Sequence, residues 1–130
     1  MPTYLLHSNP NELASIERLV DLFVAKKGVK NEIRNRMLVA CLEAISNSIY
    51  HGNQSNEKKI VKFVLKKQKE FIMVIVEDEG IGFDYNSLAD PTLPENILNL
   101  DGRGVFLMKK LSDSIRFNDN GNRVELYFKL

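Results

Sequence analysis

Glu43 and Asn47 stand four residues apart in the run Glu43-Ala-Ile-Ser-Asn47. On a helix that spacing is about 40° around the axis, so a carboxylate and a carboxamide share one face. His51, in His51-Gly52-Asn53, follows one turn later on the same face. Farther along, Asp78-Glu79-Gly80-Ile81-Gly82 puts a carboxylate and two glycines just after an apolar run, and Gly102-Arg103-Gly104 puts two glycines ahead of another helical pattern. A carboxylate ending a buried strand can accept a hydrogen bond from an exocyclic amine, and glycines there let the backbone turn closely beneath a planar ring. Helix N-termini attract phosphate through unpaired N–H groups and the macrodipole; Arg103 would add a charge-assisted contact.

Each piece also has a plainer explanation. Glu43 and Asn47 could form a polar surface face, Asp78 to Gly82 an ordinary strand-to-loop turn, and Gly102 to Gly104 a common loop–helix junction. A dinucleotide fingerprint fits poorly, because Tyr85 stands where its third glycine belongs and no βαβ unit follows. In combination the four pieces supply a base, a metal ligand, an adenine reader and a phosphate cradle. That is the requirement of an ATP site with a divalent metal.

The elements that must position these residues follow from periodicity. Thr3 to His7 reads as a strand. Asn9 is a candidate N-cap before Pro10 and Glu12, and Leu13, Ile16, Leu19, Val20, Phe23 and Val24 make an amphipathic helix that ends at Gly28. A second helix is expected from about Asn31 to Tyr50, with Leu38, Cys41, Leu42, Ile45 and Ile49 as its apolar stripe and Gly52 as a C-terminal cap. Lys59 to Leu65 and Phe71 to Glu77 form a hairpin with a charged tip, the second strand being apolar enough for the centre of a sheet. From Asp84 to Asp101 the pattern stops, as expected of a lid or binding loop. Gly104 to Leu111 reads as a third helix, and Ser114 to Phe117 with Arg123 to Phe128 as a closing hairpin. This order predicts an α+β fold, a two-layer α/β sandwich with a mostly antiparallel sheet and helices on one face.

The length of 130 residues suits one domain over 1–130, and 44% hydrophobic with 27% charged residues is ordinary for a globular protein. A net charge of +1 gives no pull toward nucleic acid or membrane, and neither is expected as a partner. No apolar run approaches the ~20 residues of a membrane span. The single cysteine, Cys41, sits on the helical stripe and is expected in the core, with the cytoplasm as the default location.

The motif set resembles the Bergerat-fold (GHKL) ATP-binding domains of gyrase, heat-shock-90 chaperones, mismatch-repair ATPases and sensor histidine kinases. Within that superfamily it is most similar to small bacterial anti-sigma factors that act as serine protein kinases. Glu43-Ala-Ile-Ser-Asn47-Ser-Ile-Tyr-His51-Gly52 matches their N box, Asp78-Glu79-Gly80-Ile81-Gly82-Phe83 their first glycine box, and Gly102-Arg103-Gly104-Val105-Phe106-Leu107-Met108 their second. Asp90-Pro91-Thr92-Leu93-Pro94-Glu95-Asn96 looks like their ATP lid.

The resemblance implies that Glu43 is the catalytic base, that Asn47 ligates Mg²⁺ bridging the phosphates, and that Asp78 bonds the adenine amino group. Gly80 and Gly82 would line the adenine pocket, while Gly102 and Gly104 close over the phosphates with Arg103 as a further contact. His51 would either support Asn47 or cap the helix. The implied function is an ATP-dependent serine/threonine kinase that phosphorylates a serine of an anti-anti-sigma partner and sequesters a sigma factor, by partner switching. Family members commonly form homodimers. The alternatives are a non-catalytic ATP-dependent binding module and a histidine-kinase-type catalytic domain. The latter needs an acceptor histidine on a helical dimerisation segment, whereas this chain holds only His7 and His51.

Overall fold

In a computed structural model of the chain, residues 2–80 and 100–130 are described. Strand β1 spans Thr3–His7. The chain then turns at Asn9, whose side chain accepts a hydrogen bond from the Asn11 N–H at 2.9 Å. A 3₁₀ segment at Pro10–Ser15 leads into α1, Ile16–Lys27. Gly28 ends that helix in the left-handed region at φ 68°, which glycine adopts without steric cost.

Helix α2 covers Asn31–Asn47 and runs into a π-helical turn at Ser48–Gly52, closed by the Asn53 N–H on the Ser48 carbonyl at 2.8 Å. Strands β2, Ile60–Gln68, and β3, Phe71–Glu77, follow. Helix α3 is Leu100–Leu111, and β4, Ser114–Phe117, and β5, Arg123–Lys129, complete the chain.

The strands form one antiparallel sheet in the order β1-β2-β3-β5-β4, with β3 central. The registers align side chains into rows. Phe63, Val76, Val124 and Phe117 make one row, and Leu65, Val74, Leu126 and Ile115 another. These rows share the core with Ile16, Val20 and Phe23 of α1, Met37, Ala40, Cys41, Ala44 and Ile45 of α2, and Val105 and Met108 of α3. The next row on the other face is Lys62, Glu77 and Arg123. The α+β sandwich with helices on one face is therefore the observed architecture. Among the described residues no helix is long and apolar enough to cross a membrane.

Two local expectations are corrected. Gly52 is no left-handed helix cap: positive-φ glycines among the described residues are Gly28 and Gly121, and Gly52 closes a π turn instead. Helix α3 begins at Leu100, so the backbone of Gly102-Arg103-Gly104 lies inside its first turns rather than ahead of them. Gly82 and residues 84–99 of the loop expected over Asp84 to Asp101 fall outside the described residues, as does the Arg103 side chain, while Leu100 and Asp101 already belong to α3.

Candidate functional site

Helix α2 carries the first group. Its opposite faces are set by sequence: Cys41 and Ile45 turn into the core, so Glu43 and Asn47 turn toward α3. There Gly104 meets them. A Cβ on Gly104 would stand 3.0 Å from Asn47 Nδ2 and 3.1 Å from Glu43 Oε2, so the glycine lets α3 approach both polar groups. Glu43, Asn47 and Gly104, which are 61 positions apart at their extremes, are therefore neighbours.

Asp78 follows directly after the central strand and is buried, with 8% of its surface exposed. Its Oδ1 accepts the Gly80 N–H at 2.8 Å, and the Ser48 hydroxyl also hydrogen-bonds to its carboxylate. Burial pushes the Asp78 carboxyl above its ordinary pKa, and those two donors partly offset the shift. The two glycines beside it are required by space. A Cβ on Gly52 would collide with the Asp78 carboxylate, and one on Gly80 would collide with the Gly52 carbonyl oxygen.

A cavity of about 220 Å³ opens between α2, α3 and the sheet. Asn47, Ser48, His51, Asp78, Asn122 and Arg123 contribute its polar lining. Ala44, Val76, Val105, Met108 and Val124 supply apolar walls. Glu43 and Gly104 lie next to Asn47. A buried carboxylate between apolar walls is a combination that small-molecule sites share.

Of the residues singled out from sequence, Asn47, His51 and Asp78 line this cavity; Glu43 and Gly104 lie beside Asn47, and the Gly80 N–H is bonded to Asp78. Ser48, Gly52, Asn122 and Arg123 were missed as parts of the cavity. Ser48 and Gly52 lie within a motif already noted, and the i, i+4 spacing of Ser48 and Gly52 on one helical face was the available signal. Asn122 carried no local signal, because only the β3–β5 pairing brings it to Asp78.

With this geometry in view, comparison with known proteins is direct. The histidine kinase-like ATPase domain matches residues 6–128, and the chain belongs to that family. ATP binding is the property that this membership carries. The chain is 34% identical over 96 residues to an anti-sigma F factor of Clostridium novyi, covering 70% of this chain and 67% of that protein. It is 27% identical over 115 residues to the serine-protein kinase RsbW of Oceanobacillus iheyensis, covering 83% and 73%. An anti-sigma F factor of Clostridium perfringens strain SM101 is 30% identical over 108 residues, 80% of this chain and 76% of that one.

Proposed function

We propose that the chain is an anti-sigma protein kinase: it binds Mg-ATP in the α2–α3–sheet cavity, phosphorylates a serine on an anti-anti-sigma partner, and holds a sigma factor according to the partner's phosphorylation state. The observation that carries this reading is the convergence of Glu43, Asn47 and Gly104 beside the cavity that Asp78 lines. The names of the relatives, anti-sigma F factor and serine-protein kinase, support the choice of partners.

Asp78 would accept a hydrogen bond from the adenine amino group, and Val76, Val105 and Val124 would supply apolar walls for the ring. The residues also suit magnesium. Mg²⁺ keeps several waters and takes one or two protein oxygens together with substrate phosphates, and Asn47 Oδ1 offers a hard oxygen donor of that kind. Asn47 would hold the ion, which neutralises phosphate charge when bound. The glycine at 104 lets the first turns of α3 come up against Asn47 and Glu43, where the helix backbone would meet phosphate.

Glu43 then takes the proton from the attacking serine hydroxyl as the oxygen–phosphorus bond forms and ADP leaves. Phosphoryl transfer depends chiefly on positioning and charge neutralisation, so the glutamate acts on a step that Asn47 and the α3 backbone have already arranged. The test is incubation with Mg-ATP and a candidate anti-anti-sigma protein. Phosphate on a partner serine, lost in Glu43→Ala, is the expected result. Tight ATP binding without transfer to any such partner would contradict the kinase and leave a nucleotide-dependent binding module.

A further inference from the structure

Asn53, noted in the sequence as part of His51-Gly52-Asn53, has no assigned role in the site, yet it is fully buried. Its carboxamide is completely used. Nδ2 donates to Ser8 Oγ at 2.8 Å and to the Ile60 carbonyl at 3.1 Å, and Oδ1 accepts the Glu79 N–H at 2.8 Å. Ser8 is itself fixed, its hydroxyl donating to the Lys59 carbonyl at 2.8 Å. Asn53 therefore joins the end of β1, the start of β2 and the residue after Asp78.

The Glu79 N–H belongs to the peptide that links Asp78 to Glu79. The other end of that peptide, the Asp78 carbonyl, accepts from Asn122 Nδ2 at 3.2 Å. Asn122 also receives the Asp78 N–H on its own carbonyl at 2.9 Å, and its Oδ1 is held by Asn118 Nδ2 at 2.6 Å. One peptide plane is thus gripped at its N–H by a carboxamide 26 residues upstream and at its C=O by one 44 residues downstream. With the Asp78 N–H held on one side and this plane on the other, φ and ψ at Asp78 are fixed, and with them the direction in which its side chain leaves the backbone. The Gly80 N–H on Asp78 Oδ1 secures the carboxylate itself.

We propose that Asn53 and Asn122 are positioning residues that clamp the Asp78–Glu79 peptide and so aim the Asp78 carboxylate at the exocyclic amine of the bound base. This rests on the adenine-reading role of Asp78 proposed above. A clamp that acts through Asp78 affects only nucleotides offering that amine. A clamp that serves the fold alone affects all nucleotides equally.

The experiment compares ATP with purine riboside triphosphate, which lacks the 6-amino group, by calorimetric titration in magnesium buffer. One hydrogen bond to a charged acceptor corresponds to about a tenfold or greater preference of the unmodified protein for ATP. In Asn53→Ala, at a residue that does not line the cavity, this preference should fall to about threefold or less, with the affinity for purine riboside triphosphate changed by less than about threefold. In Asn122→Ala, at a residue that also lines the cavity, the preference should fall to the same extent. Asn122, half-buried in a hairpin, leaves a foldable variant if Asn53→Ala does not fold. Equal weakening of both nucleotides, or a preference kept in the variants, would overturn the clamp alone. Equal affinity of the unmodified protein for the two nucleotides would overturn the Asp78 reading, and the clamp with it.

Discussion

Gly52 and Asp78 lie so close that the glycine hydrogen occupies the only room between the π turn and the carboxylate: a β-carbon at 52 would overlap the carboxyl group. Gly80 meets the Gly52 carbonyl oxygen in the same way. The two contacts differ in what can yield, since the first is against a side chain and the second against backbone. Gly52→Ala should turn Asp78 aside and cost ATP affinity about tenfold or more, with a modest loss of stability. Gly80→Ala must move backbone and should destabilise by about 1–3 kcal/mol, as overpacking does. Thermal denaturation beside ATP titration separates the two. Equal melting temperatures for both variants would contradict the assignment.

Glu43→Ala should lower serine phosphorylation by about 10²–10⁴-fold, the usual contribution of a general base, with ATP affinity within a few-fold of the parent. Single-turnover transfer to a partner protein measures the first and equilibrium titration the second. A parallel loss of binding would make Glu43 part of the nucleotide's seat rather than the base.

Asp78→Asn should weaken ATP by about ten- to a hundredfold, from one hydrogen bond to a charged group. Stability should respond in the opposite sense. Burial raises the Asp78 carboxyl above its ordinary pKa, so the nucleotide-free fold favours the protonated form. Its contribution to stability is present at acid pH and is lost as pH rises through the folded value. Asparagine cannot ionise, so at pH 7 the variant without nucleotide should melt no lower than the parent. ATP affinity of the parent should fall as Asp78 takes up its proton, beginning at a higher pH than for an ordinary aspartate. Melting curves and titrations across pH 4–7 check both directions.

Cys41 is fully buried, and burial pushes its thiol up to about 12. Its contribution to stability holds below the unfolded thiol's pKa and declines as pH rises from there toward 12. Iodoacetamide at pH 8 should leave Cys41 unmodified in the native protein and alkylate it after denaturation. Rapid labelling of the native protein would contradict the burial.

Much of this was legible in the sequence because local chemistry dictated it. The Asn9 cap, the turn at Gly28 and the apolar run of Phe71 to Val76 each have one good structural solution, and β1, β3 and β4 fall where their residues predict. The α2 stripe was less legible. Ala40 and Ala44 are buried beside Met37, whereas Leu38 and Leu42 reach only the rim of the core. A periodicity weighted by side-chain size underrates alanines where elements come close. Gly52 looked like a helix cap because helix-ending glycines usually serve φ; its reason, the Asp78 carboxylate, lies 26 residues away and is a matter of tertiary contact. Asn53 and Asn122 were silent for the same cause, since the Asp78–Glu79 peptide that both hold is a backbone group that no side-chain pattern reports.

Calorimetric titration with ATP in the presence of magnesium tests the central claim most directly. The account predicts one saturable site per chain, weakened in Asp78→Asn and retained in Glu43→Ala. Absence of any ATP uptake, or uptake that Asp78→Asn leaves unchanged, would contradict it.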